Sequence, residues 1–156
     1  MNYLSVISLD DAKEYLRVEH GDSDREIERM IKSALALIEE KTRHLFYDRD
    51  VTYRLKAGVV HVYDGPINTV GTTGLASTVT RYDFTNYSVF TDTNTDNLTV
   101  ALNVGYADAS EIPSGLIQAA LEILDYWYYK NDGTASMSLI GNGAQETINS
   151  YSRFIF

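Results

Sequence analysis

The chain has no cysteine in its 156 residues, which excludes disulfides, thiolate metal sites and cysteine nucleophiles together and fits a reducing compartment. No apolar run approaches the length needed to cross a bilayer, so no membrane partner is expected. The start, Met1-Asn2-Tyr3-Leu4, lacks the basic patch and apolar stretch of a secretion signal, and the protein is expected to stay where it is made. Cations are scarce. Thirteen Lys and Arg against 22 Asp and Glu leave a net charge of −9, which argues against gripping nucleic acid by phosphate neutralisation. Catalytic patterns are missing too. The three histidines (His20, His44 and His61) fall in a turn, at a helix end and in a strand, without metal-ligand spacing. There is no nucleophile elbow, phosphate loop or HExxH, and the acid pairs Asp10-Asp11 and Asp22/Asp24 are explained by helix N-termini. Neither an enzyme nor a cofactor is expected, and a carboxylate hydrolase has no supporting spacing.

What is present is 44% apolar residues, enough for one domain core, and twelve tyrosines, a richness that leans toward interfaces rather than chemistry. The acidity belongs to the body. Residues 1–50 carry twelve acids and eight bases, residues 51–132 nine and four, and the last 24 one of each. The organising stretch is IPSGLIQAALEILDYWYYKN, residues 112–131. Pro113 suits a first helical turn, and Leu116, Ile117, Ala120, Leu121, Leu124, Trp127 and Tyr128 fall on one face of a 3.6-residue repeat. The spacing predicts a central helix over 113–130, stopped by Asn131-Asp132-Gly133. Tyr126 and Tyr129 lie off that face, and either cover the rest of the chain or meet another subunit.

Ser8 with Asp11 reads as a capping box opening a short helix over 8–17, and Ser23 with Glu26 as a second one opening a long helix over 24–44. Strands are expected over about 50–63, 78–91 and 99–106. In the first of these, period-two alternation at Val51, Tyr53 and Leu55, a turn at Ala57-Gly58 and a return over Val59–Tyr63 predict a hairpin. Val100, Leu102, Val104 and Tyr106 make the clearest strand face. The result is an α+β fold, with a helical core of three or more helices, antiparallel β-hairpins and an extended C-terminal arm. Residues 1–132 form the body. Residues 133–156 form a Gly-rich tether to Gln145 and a sticky aromatic end. Asp92-Thr93-Asn94-Thr95-Asp96-Asn97 is similar to half of a calcium loop, but lacks its glycine and closing glutamate, so a plain turn is favoured over a cation-binding module.

Three blocks together resemble the head–tail connector (adaptor) proteins of tailed bacteriophages with the long-tailed HK97-like plan. They are Ser8–Thr42, with its "LddaK-yLrv" helix and capped Ile-rich helix; Gly65-Pro66-Ile67-Asn68-Thr69-Val70, similar to a "PI-SV" segment; and Val100–Asn131, with its strand, "GY", "IP--L--A" and closing "-WY-N". The chain departs from that pattern at Tyr129-Lys130-Asn131, in a longer 71–98 insertion, and in an ending, Asn149–Phe156, that is not the family's frequent basic, proline-containing one. The resemblance implies a non-enzymatic virion protein of the neck, assembled in the host cytoplasm. It implies a ring, typically of twelve copies, beneath the portal protein, extending a DNA channel toward a stopper or tail without binding DNA specifically. On this reading Tyr151, Arg153, Phe154, Ile155 and Phe156 are the candidate portal-docking arm, with folding back onto the chain's own helices as the alternative. Tyr126 and Tyr129 are the candidate subunit interface. A small cation-binding or interaction module of a phage neck is the second reading.

Overall fold

A computed structural model describes residues 2–54, 58–73, 79–91, 99–130 and 142–153. The N-terminal part is helical. Asn2 and Ser5 form a capping box on the single turn α1 (Tyr3–Val6), which the sequence reading missed. Helix α2 (Leu9–Leu16) opens on the expected box, with the Asp11 N–H donating to Ser8 Oγ at 3.1 Å. It ends at Arg17 in the left-handed region, φ 55°.

Helix α3 (Asp24–Thr42) starts where expected, but Ser23 makes no side-chain cap. Its hydroxyl instead faces that of Tyr128 at 3.4 Å, and Asp24 takes Lys13 Nζ at 2.7 Å. A tertiary contact has displaced the local one. The helix buries Ile27, Ile31, Ala34, Leu35 and Ile38 and stops at Arg43, φ 61°, two residues short of the sequence estimate.

Six strands follow: β1 (Arg49–Arg54), β2 (Val59–Val62), β3 (Ile67–Thr73), β4 (Thr80–Asp83), β5 (Ser88–Thr91) and β6 (Thr99–Val104). They form two three-stranded antiparallel sheets, ordered β1-β6-β3 and β2-β5-β4. The fold class is therefore α+β, as expected, but the hairpin of 51–55 with 59–63 is not formed. β1 pairs with β6, with Val51 opposite Leu102 and Tyr53 opposite Val100. β2 pairs with β5. β6 wins both flanking places because Val100, Leu102 and Val104 are all buried, and a central strand needs neighbours on both sides to satisfy its backbone. The 71–98 insertion contains a true hairpin, β4–β5, turning where the Phe84 N–H donates to Tyr87 O at 2.9 Å. The calcium-like stretch 92–97 lies outside the described residues.

After a short 3-10 turn, α4 (Ser114–Tyr129) runs as the central helix, burying Leu116, Ala119, Ala120, Ile123 and Leu124. Residues 131–141 lie outside the described set. Helix α5 (Asn142–Tyr151) then packs on α3 and α4, burying Ala144 and Ile148. Here the structure differs from the tether expected through Gln145. Glycine, serine and asparagine argue for loop, but two apolar residues four apart give the segment one face to dock.

Two hydrophobic clusters result. One joins the helices; the other, built on Leu45, Val62, Phe90, Val100, Leu102 and Val104, joins the strands. Consecutive residues divide between them, Phe46 entering the helical cluster and Leu45 the β cluster.

Candidate assembly interfaces

The turn that divides the clusters is held by backbone hydrogen bonds from three segments. Leu45 N–H donates to Gly65 O (2.9 Å), Gly65 N–H to Arg43 O (3.1 Å), Tyr106 N–H to Leu45 O (3.0 Å) and Gly105 N–H to Pro66 O (2.7 Å). Gly105 sits at φ +111°, and a Cβ there would collide with the Tyr47 carbonyl, so both backbone and space require glycine.

The C-terminal segment closes onto this junction. Arg153 donates its backbone N–H to Thr42 O (3.1 Å) and Nε to Asn86 O (3.0 Å), and its guanidinium covers Gly65, where a Cβ would collide with it. His44 Nδ1 lies 2.8 Å from Tyr106 Oη, with the two rings stacked, and the Tyr151 ring meets His44 edge-on at 6.2 Å. Burial, then the neighbouring Arg153 charge, pull the His44 imidazole down to about 4. Burial pushes the Tyr106 phenol up to about 12 and pulls the Arg153 guanidinium down. Tyr151 also lies against Gly115 of α4, at contact distance from where a Cβ would stand. So Tyr151 and Arg153, read as part of a swung-out arm, are folded back on the body. Phe154, Ile155 and Phe156 lie outside the described residues. Sequence reasoning did not bring His44, Tyr106 and Arg153 together; "GY" after a clean strand was the only local hint.

A second polar centre ties the helices to the first sheet. Glu39 is 7% exposed and accepts from Tyr3 Oη (2.8 Å), the Phe46 N–H (2.6 Å) and Arg49 Nη2 (3.0 Å). One buried carboxylate thus holds α1, α3, the junction and β1. Its charge raises the pKa of both Tyr3 and Arg49, with burial the largest influence on each, raising the phenol and opposing the rise at the guanidinium.

The two off-face tyrosines diverge. Tyr129 is 59% exposed, packs edge-on against Tyr128 and donates its hydroxyl to Leu16 O. It borders an open cleft between α2 and α4. Tyr126 is half-buried under Lys130, whose Nζ stands 5.0 Å over the ring. On the second sheet, Tyr82 and Phe84 are exposed, with Phe84 stacked on Tyr87 at 4.7 Å. Among the described residues no group of three or more His, Asp or Glu is arranged to hold a metal, and no helix is long and apolar enough to cross a membrane. The geometry offers surfaces for contact.

A family model for head completion proteins matches residues 5–154. No curated protein matches the chain. Among solved structures, it is similar to a chain in the virion of a native gene transfer agent (GTA) particle, at 16% identity and a TM-score of 0.73, over 100% of this chain and 94% of that one. It is also similar to a chain in the neck of the empty GTA particle computed with C6 symmetry, at 19% identity and 0.71, over 97% and 91%. A third match is to the neck of the native particle computed with C12 symmetry, at 17% identity and 0.63, over 99% and 91%. At such identities the likeness speaks for the fold.

Proposed function

The chain belongs to the head completion protein family, whose model spans residues 5–154, and from that premise we propose that it is a head–tail adaptor. In this role a ring of copies sits under the portal protein, extends the DNA channel and docks the stopper or tail. Membership makes it a structural protein of the phage-type head–tail neck, in line with the connector resemblance. The family match carries the reading, and the physical features support its finer parts. A body with a net charge of −9 offers few phosphate-binding cations, which suits a wall past which DNA slides. The C12 symmetry of one similar neck suits a twelve-copy ring.

In the portal contact, Tyr151 and Arg153 act as the root of the arm. Their contacts with His44, Gly115 and Thr42 anchor the base of the arm on the body, and in this proposal Phe154, Ile155 and Phe156 supply the apolar tip. No enzymatic step belongs to this role.

The test is light scattering of the purified chain alone and mixed with the portal protein of the same genome. A stoichiometric ring-on-ring complex is expected; a chain that stays apart from portal refutes the adaptor role. Ending the chain after Arg153 should then abolish portal binding without lowering the melting temperature. Unchanged binding by that shortened chain would remove the arm from the contact.

A further inference from the structure

Helices α2, α3 and α4 pack against one another pairwise. In such a triangle the groove between two helices lies opposite the outer face of the third. Both places are open here, and their charges are opposite. The groove between α2 and α4 is a cleft of about 830 Å³ whose lining includes the acids Asp11, Glu14 and Asp125 against one base, Arg17. Tyr15, Leu121 and Tyr129 supply its apolar surface. Tyr15 and Tyr129 are 38% and 59% exposed, so large aromatic area faces water.

On the opposite side, Arg25, Arg29 and Lys32 follow one another at i, i+4 and i+7 along the exposed face of α3, continued by Ala36. None of the three has an ion-pair partner among the described residues. Glu28, four residues before Lys32, and Glu40, four after Ala36, border the row, and neither forms an ion pair with the three cations. In a chain of net charge −9, three unpaired cations in register are an exception that its own fold does not use.

The two surfaces also stand at the same height. The Tyr128 hydroxyl meets that of Ser23 at 3.4 Å, and Lys13 of α2 pairs with Asp24 at 2.7 Å. The first turns of α3 are therefore level with the last turns of α4 and with α2. Complementary patches on opposite sides of a subunit make a head-to-tail contact, and without offset along the bundle axis such a contact forms a ring, not a climbing helix, where the rotation from copy to copy closes.

We infer that the α2–α4 cleft of one copy receives the Arg25–Arg29–Lys32 face of α3 from the next, with Tyr15 and Tyr129 packing beneath the ion pairs. This rests on the ring reading above and names its surface. Opposite charges across the contact set partner and register, and the aromatic floor supplies the buried area.

Charge exchange tests it. Two variants are made, E14K/D125K in the cleft and R25E/R29E on α3, all at exposed positions outside the capping and core contacts described. Assembly is measured by sedimentation, in solution and on the portal ring, with circular dichroism to verify folding. Each variant alone should assemble at least about tenfold more weakly than the parent, since attraction becomes repulsion. Mixed one to one they should assemble again, because each reversed surface then faces a complementary one around an alternating ring. The fourfold variant E14K/D125K/R25E/R29E should assemble by itself.

Folded single-surface variants that assemble like the parent, or a mixture that stays dispersed, overturn the inference. Parent copies that fill the portal ring as well when their charges are reversed leave the adaptor role standing and sink this interface. Charge-exchangeable rings that ignore portal do the opposite. A parent that neither self-assembles nor loads on portal overturns both.

Discussion

Replacing Glu39 by alanine should be among the most damaging single changes in the chain. The carboxylate serves three donors: a phenol, a guanidinium and the backbone N–H of Phe46. Hydrogen bonds to a charged group contribute about 1.5–3 kcal/mol each, and deleting one partner of a buried pair costs about 3–5 kcal/mol because the other is left without compensation. Arg49 is partly exposed, its side chain 35% accessible, and can turn to water, which reduces its share. Phe46 cannot turn away, since it is fully buried and its amide is fixed in the junction. The net expectation for Glu39→Ala is about 3–4 kcal/mol, or a melting temperature lower by about 6–16 °C for a chain of this size. Glu39→Leu restores volume but not the acceptor, and should recover less than half of the loss. Tyr3→Phe removes one donor and should cost about 1 kcal/mol. Urea denaturation followed by circular dichroism measures all three. Should Glu39→Leu equal or exceed the parent in stability, the orphaned Phe46 amide is not the dominant cost and the reasoning fails.

The His44 imidazole takes its proton near 6.5 when unfolded but near 4 when folded, so between those values the unfolded state holds more protons and lowering pH favours unfolding. Stability should fall as pH drops from about 6.5 to about 4, and His44→Gln should flatten that part of the curve, as pH-dependent melting would reveal. Gly105→Ala forces a side chain into positive φ and into the Tyr47 carbonyl, and should cost about 3 kcal/mol or more in a denaturant titration. Ile148→Ala should cost about 2–4 kcal/mol and raise amide exchange throughout α5, because that residue is the helix's principal buried anchor.

Local chemistry was legible wherever it decided the outcome. The Ser8–Asp11 box needed only near neighbours and stands as read; of the face read for α4, Leu116, Ala120 and Leu124 are buried, Ile117, Leu121, Trp127 and Tyr128 only partly, and Ala119 and Ile123 complete the buried stripe. Ser23 was misread because a partner 105 residues away, Tyr128, holds its hydroxyl. The sequential hairpin failed for a similar reason: Ala57-Gly58 looks like a turn, yet the inward row of β6 recruits β1 from far along the chain. Helix α5 was hidden by its composition, since Ala144 and Ile148 acquire a helical face only once α4 is there to receive them. Angle alone set Tyr126 and Tyr129 off the buried face, and of the two Tyr129 is exposed while Tyr126 is half-buried under Lys130. The His44–Tyr106–Arg153 cluster could not be read that way, being drawn from three segments that share no spacing.

The proposed contacts fall at opposite ends of one helix, and that separation has a consequence. The cleft and the basic row lie at the N-terminal end of α3, level with Ser23 and Asp24. Arg153, the last described residue, is held at Thr42, at the other end. Eighteen residues at 1.5 Å each put about 27 Å between them. On the proposed contact, neighbouring copies meet through the flanks of the helical bundle, which leaves the Thr42 end of α3 and the sheets for the rings above and below. Glu39 and the Leu45–Phe46 turn join those two regions mechanically, because they fasten α1, α3 and β1 to one another. Substitutions on the charged surfaces should therefore impair ring formation and spare portal docking by the monomer, and loss of the arm should do the reverse. Damage to the Glu39 centre should impair both together.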